Sequence, residues 1–291
     1  MRLHGWAGLG IILGAETLLF SGNALVGRWF TPIVWTGYVL FVDALVARLT
    51  GRSYVTTDRT EGVLVALVSI IGWWLFEWYN APRFWRGGEE AVGVWWQYHD
   101  TEPNLFLRRF GYDWSFATIF PALFLTAAAL RGSVLARVRV RPWSLSRPAL
   151  RVVVAVGAVV SLLPFVVVSP WLVPLVWTGL VLLLEPPNAW AGRPSWLADL
   201  ARGDASRLAS LVAAGAVCGV LWEFWNYWAV TKWTYTVPPA YLGHVKVFEM
   251  PVIGYLGFLP FALECYAMYQ WARGWLTSGG DAKDRQDDVV I

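Results

Sequence analysis

Apolar stretches of about twenty residues recur along the whole of this chain, and they limit its folding more than any other feature. A bilayer core about 30 Å thick is crossed by roughly twenty helical residues at about 1.5 Å each. Eight such stretches are read, at 7–26, 31–50, 61–80, 112–131, 149–169, 171–190, 207–229 and 248–274. Hydrophobic residues make up 57% of the 291 positions and charged ones only 15%, a balance unlike that of a soluble domain. The expected fold is an all-α polytopic transmembrane helical bundle. Glycine and proline inside the stretches do not oppose this, because neighbouring helices satisfy the backbone groups they free. The first stretch resembles a secretory signal in having Arg2 before an apolar run, but Glu16 interrupts it. It is read as a retained helix.

Charge orients the bundle. Of the 23 lysines and arginines, sixteen fall on the side of the N-terminus: Arg2, Arg48, Arg52, Arg59, the six arginines from Arg131 to Arg151, Arg193, Arg202, Arg207, Arg273, Lys283 and Arg285. Arg28, Arg83, Arg86, Arg108, Arg109, Lys232 and Lys246 fall opposite, beside Glu89, Glu90, Asp100 and Glu102. The positive-inside bias predicts a multi-pass protein of a bacterial inner membrane with both termini in the cytoplasm. A net charge of +3, with the arginines explained by topology, gives no indication of a nucleic-acid partner. Cys218 and Cys265 form neither a disulfide framework nor a metal-ligand spacing, and His99 and His244 are isolated. Neither a metal nor a cofactor is expected.

The chain also matches itself. "TPIVWTGYVLFVDAL" at Thr31 aligns with "LVPLVWTGLVLLLEPP" at Leu172, pairing Trp35 with Trp177, Gly37 with Gly179 and Asp43 with Glu185. "LFEWYN" at Leu75 aligns with "LWEFWN" at Leu221, "WQY" ending at Tyr98 with "WTY" ending at Tyr235, and "FPAL" near Pro121 with "LPFAL" near Pro260. Blocks repeated in one order indicate duplication. The organisation read from this is a first four-helix repeat at 1–131, a basic cytoplasmic linker at 132–148, a second repeat at 149–276 and a flexible tail at 277–291. An even number of spans per half makes the repeats parallel, with a pseudo-two-fold axis along the membrane normal. Glu77 and Glu223 then lie near the non-cytoplasmic face, and Asp43 and Glu185 lie deeper. Pro186 and Pro187 predict a helix end or break directly after Glu185.

An acid in hydrocarbon costs roughly 2.5–3.5 kcal/mol at a helix centre, so each of these must face protein or water. In "FEWYN" and "WEFWN" the asparagine follows the glutamate by three residues, which puts both on one helical face. A polar cluster of Glu77, Asn80, Glu223 and Asn226 is one expectation; the other is that these groups bond loop backbone and lock helices together. The following loops carry Trp96, Tyr98, Trp233 and Tyr235, and Trp222 and Trp225 flank Glu223. The 21 tryptophans exceed what interfacial belts need. "PNLFLRRFG" in loop 81–111 reads as a strip lying on the bilayer. Glu249, just before Pro251 at the expected start of helix eight, suits either a helix N-terminal charge or a working acid.

An acid at a helix end, W-x-Y in the loop, and a proline with an acid opening the next helix together form a pattern. It runs from Glu77 to Trp96-Gln97-Tyr98, and from Glu223 through Trp233-Thr234-Tyr235 to Glu249-Met250-Pro251. This resembles the repeated pattern of transmembrane lycopene cyclase domains and related carotenoid hydratases. One glutamate precedes Pro251 where that family has a paired acid after its proline, and four spans stand per half where its repeats have three. The resemblance implies acid-initiated chemistry on an isoprenoid or other lipid-soluble substrate. Glu223 or Glu249 would donate the proton and Glu77 would be counter-charge or base. Trp222, Trp225, Trp233 and Tyr235 would line the substrate site, with Asn80, Asn226, Trp96 and Tyr98 also contacting substrate. Membrane lipid is an expected partner. Two other readings stay open: a non-catalytic subunit that binds a partner, pigment or lipid, and a small-solute or ion transporter using the two acidic layers.

Overall fold

The computed structural model describes residues 2–81 and 93–276. Eight helical segments are long and apolar enough to cross a membrane: Leu3–Phe20, Phe30–Thr50, Arg59–Asn80, Leu105–Arg131, Arg147–Val166, Pro170–Trp190, Ser206–Trp228 and Val252–Leu276. The chain is an all-α bundle, as its hydropathy predicts. The expected tail at 277–291, and Arg83, Arg86, Glu89 and Glu90, lie outside the described residues.

Local chemistry sets the boundaries and moves several of them. The first span stops at Phe20 because Gly22 takes φ 79°, a left-handed value open to glycine. Asn23 then caps a separate short helix, Ala24–Arg28, by accepting from Val26 N at 3.0 Å. Asn104 caps the fourth span in the same way, accepting from Phe106 N at 3.0 Å and Leu107 N at 3.1 Å. That span therefore begins at Leu105. Of the expected surface strip at Pro103–Gly111, the part from Leu105 forms its first turns. Residues 248–251 are not helical, so Glu249 does not open helix eight.

Three spans are not continuous α-helix along their length. The fourth is two helices, Leu105–Ala117 and Ile119–Arg131, meeting at Thr118. Pro121 has no N–H to give to Ala117, and Ser69 of the third span bridges the gap. Its hydroxyl donates to the Phe116 carbonyl and accepts from Phe120 N at 3.0 Å. The eighth span opens as a 3-10 turn, Val252–Gly257, and becomes α-helical at Phe258, just before Pro260. The sixth passes from Val173–Val176 into Gly179–Trp190 across Trp177 and Thr178. The break expected after Glu185 does not occur, since helix Gly179–Trp190 runs through Pro186 and Pro187. It falls several residues earlier, where Glu264 of the eighth span receives the Leu180 amide.

The fourth and eighth spans form the centre: the fourth packs on the second, third and seventh, the eighth on the third, sixth and seventh. The first and fifth are peripheral, each lying against the span that follows it. Both peripheral pairs rest on glycine. A Cβ on Gly8 would stand 2.5 Å from the Gly37 carbonyl oxygen, and one on Gly157 would stand 2.5 Å from Leu183 N. Without water to drive association, such close backbone approach is what holds membrane helices together. At the end of the bundle that holds both termini of the described chain, the basic linker is tied down. Val140 N and Trp143 N donate to the Gly203 and Leu200 carbonyls, and Arg139 stands 3.5 Å from Asp204.

Replacing Gly8 by leucine is expected to separate the first two spans and to destabilise the protein by about 1–3 kcal/mol, read as a lower Tm in mild detergent. Gly14→Ala, on the same helix with nothing within 4 Å of its Cβ, is expected to leave Tm unchanged or slightly raised.

Candidate functional site

At the other end of the bundle the two W-x-Y segments become strands and pair with each other. Strand β1 (Trp96–His99) runs antiparallel to β2 (Lys232–Tyr235), with Trp96 opposite Tyr235, Gln97 opposite Thr234 and Tyr98 opposite Trp233. Side chains directly opposite share a face, and alternate residues along a strand share it too. All four rings of the two motifs therefore point one way.

Each strand is hung from the helix before it by the repeated asparagine. Asn80 Oδ1 accepts from Trp95 N at 2.9 Å and Trp96 N at 3.2 Å, and its Nδ2 donates to the Trp96 carbonyl at 2.9 Å. Asn226 does the same to Trp233, accepting at 2.9 Å and donating at 2.8 Å. The glutamates bind the tyrosines. Glu77 Oε1 receives Tyr98 Oη at 2.6 Å, Trp73 Nε1 at 2.9 Å and Trp96 Nε1 at 3.1 Å. Glu223, fully buried, receives Tyr235 Oη at 2.6 Å, and that hydroxyl accepts from Trp233 Nε1 at 2.6 Å. Among the described residues no hydrogen bond joins Glu77 or Asn80 to Glu223 or Asn226. The expected four-residue cluster is two separate sets, joined through the ribbon.

The ribbon roofs a cavity of about 510 Å³, within the usual range of small-molecule sites. Trp96, Tyr98, Trp233 and Tyr235 line it from above, and Trp35, Trp73, Trp177, Trp222, Phe258 and Phe261 from the bundle. The rings lock one another. Trp96 stacks on Trp177 with centroids 5.8 Å apart, and Trp222 lies 4.9 Å from Trp35 and 5.9 Å from Phe258. Among the described residues, charge enters the lining through Arg28, Glu102 and Arg108. Arg28 Nη1 donates to Glu102 at 3.1 Å, and Glu102 is held below the usual carboxylate range by the Asn104 backbone amide and by Arg28.

Five residues expected at the site thus line the cavity: Trp96, Tyr98, Trp222, Trp233 and Tyr235. Six stand outside its lining. Glu77 and Glu223 sit behind their tyrosines, and Asn80 and Asn226 are spent on backbone. Trp225 turns to the first span, donating to Glu16 at 2.9 Å. Glu249, in the turn between β3 (Lys246–Val247) and β4 (Met250–Pro251), is ion-paired with Lys232 at 2.6 Å. The deeper acids are anchors as well: Asp43 accepts from Ser53 Oγ at 2.5 Å and Tyr54 N at 2.7 Å, and Glu185 from Ser195 Oγ at 2.6 Å and Leu197 N at 3.1 Å. The motif reading missed Trp35 and Trp177, although both stand in the matched "VWTG" blocks, and Glu264, the lone acid of the eighth span. Both cysteines are free and buried. No grouping of metal ligands occurs among the described residues. No protein-family model, curated protein or solved structure matches this chain.

Two outcomes are expected at the ribbon. Asn80→Ala leaves buried backbone groups of Trp95 and Trp96 unpaired and Asn226→Ala leaves half-buried ones of Trp233 unpaired; the first is expected to cost about 1–3 kcal/mol and the second less, each seen as a lower Tm. Burial pushes the Tyr98 and Tyr235 phenols well above their ordinary range, and the adjacent glutamates push the same way. Native protein is then expected to form tyrosinate later than denatured chain as pH climbs past about 10. The neutral phenols favour the folded state, so their contribution to stability is complete below that pH and declines above it. Ultraviolet titration in both states checks this.

Proposed function

We propose that the protein is a membrane enzyme that holds an isoprenoid or other lipid-soluble substrate in the aromatic cavity and moves protons to and from it through two glutamate–tyrosine pairs. The observation that carries this reading is that Tyr98 and Tyr235 both line the cavity while each hydroxyl lies 2.6 Å from a glutamate behind it. A phenol so placed passes a proton between carboxyl and substrate without exposing the acid. The two pairs differ in a way that suits different tasks. Three donors converge on one oxygen of Glu77, as on a charged carboxylate. Glu223 has one donor, and its Oε2 is buried without a partner, as suits a carboxyl that carries its own proton. Glu223 acts as the donor through Tyr235, the phenol hydrogen passing to substrate as the carboxyl proton replaces it on Oη and leaves a carboxylate; Glu77 is the counter-charge or base through Tyr98, and Glu249 is left out of the path by Lys232. The faces of Trp35, Trp177, Trp222 and Trp233 supply the negative potential that a developing carbocation needs.

The same reading takes the halves 1–131 and 149–276 as a duplication about an axis along the membrane normal, with the ribbon at the non-cytoplasmic face. Matched residues with matched roles support it: Asn80 and Asn226 on a strand tryptophan, Glu77 and Glu223 on a strand tyrosine, Asp43 and Glu185 each on a serine ten residues later. The ribbon register is its own image when the strands are exchanged. A binding subunit without chemistry is the second reading, favoured by Glu77 having its acceptor oxygen filled by the protein's own side chains.

The two readings separate in cells carrying Glu223→Gln or Tyr235→Phe. The enzyme reading expects product in the lipid extract to fall by about 10²–10⁴-fold, with lipid still co-purifying. Unchanged lipids beside a bound lipid of wild-type amount point to binding alone. A protein purified with an empty cavity, and without effect on the lipid extract, sinks both.

A further inference from the structure

Glu264 is the single acid of the eighth span, sits at its middle and is completely buried. Its Oε1 accepts the Leu180 amide at 2.9 Å, while its Oε2 is buried without a hydrogen-bond partner. Leu180 is the second residue of helix Gly179–Trp190, which starts within the membrane because the sixth span is broken at Trp177 and Thr178. Its first amides have no helical carbonyl before them. The surroundings are close and polar-poor. A Cβ on Gly179 would stand 2.6 Å from Ser161 Oγ, a hydroxyl that is also buried without a partner. Tyr79 donates to the Ser161 carbonyl at 2.8 Å. One turn above Glu264 in the same helix, Phe261 closes the cavity floor with Trp177 at a centroid distance of 5.4 Å and packs on Phe76 at 5.9 Å.

A charged carboxylate here would have one amide and the partial positive charge of one helix end to replace its hydration. Compensation of buried charge needs a counter-ion and several donors. The titratable groups close to Glu264 are Tyr79 of the third span and its own neighbour Cys265, and neither carries positive charge. No arginine, lysine or histidine among the described residues is paired with it. A neutral carboxyl fits: its carbonyl oxygen takes the Leu180 N–H and its O–H is left to donate.

The geometry points to Glu264 as a proton-binding site in the middle of the membrane, a carboxyl that carries its proton at neutral pH one helical turn below the cavity floor. The ligand is a proton. Binding converts carboxylate to carboxylic acid, and no other bond changes. The site is distinct from the Glu77 and Glu223 pairs at the roof and does not depend on their role.

Infrared spectra of the protein in lipid, wild type minus Glu264→Gln, test it. At neutral pH, above the ordinary carboxylate range, the difference is expected to contain the carbonyl stretch of a protonated carboxylic acid. A difference containing only ionised-carboxylate bands would overturn the proposal. Should Glu264→Gln not assemble, unmutated protein is treated with dicyclohexylcarbodiimide, an apolar reagent that adds to protonated carboxyls, and its peptides are mapped by mass. An adduct on Glu264 supports the site; adducts confined to other carboxyls overturn it.

Discussion

Every carboxyl or amide placed inside a bilayer must find its hydrogen-bond partners within the protein, and in this chain that requirement shapes almost everything that is not plain helix. Asp43 and Glu185 gather the loops that follow their spans. Glu77 and Glu223 hold the tyrosines of the ribbon, Glu16 ties the peripheral first span to Trp225, and Glu264 receives an amide at a helix break. Each acid that costs free energy to insert ties its helix to another part of the chain, Asp43, Glu185 and Glu264 through backbone amides and Glu16, Glu77 and Glu223 through side chains.

The cavity is a consequence of that anchoring. Asparagine side chains standing in for backbone hold β1 and β2 at fixed heights above the spans. Antiparallel pairing then fixes the direction of their rings. Trp73 and Trp177 of the third and sixth spans meet Trp96 of the ribbon, and Trp35 of the second span meets Trp222 and Trp225 of the seventh, mostly tilted or edge-on, the arrangements that aromatic quadrupoles favour. Rigid rings propped at such angles enclose space that flexible aliphatic chains would fill. The excess of tryptophan beyond an interfacial belt is therefore spent on the walls of a chamber.

Broken helices serve the same end. The interruptions at Thr118, at Trp177–Thr178 and at Gly257 all border the cavity, so the backbone bends where the chamber needs width. Two of them have a proline three residues on, and two are repaired by a polar side chain from another span, Ser69 in one case and Glu264 in the other. The prolines at 186 and 187, read in isolation as a break, lie within a continuous helix. A proline removes one hydrogen bond, but whether the helix parts there depends on what the neighbouring helices offer.

By itself the sequence determined the eight spans, because the length and apolarity that a bilayer demands are local properties. It also marked the two W-x-Y segments as copies of one another, but as loops; that they are strands paired with each other came from the structure. It pointed to Glu77, Glu223 and their asparagines as groups needing partners, but a helical face tells only which side chains lie side by side. Tertiary structure decided the rest: that the asparagines bind backbone, that tyrosines stand between the glutamates and the cavity, that Glu249 is neutralised by Lys232, and that Glu264 lies beneath the floor. Those outcomes depend on contacts between residues seven to eighty-four positions apart, and no local spacing encodes which of several available donors reaches a buried oxygen first.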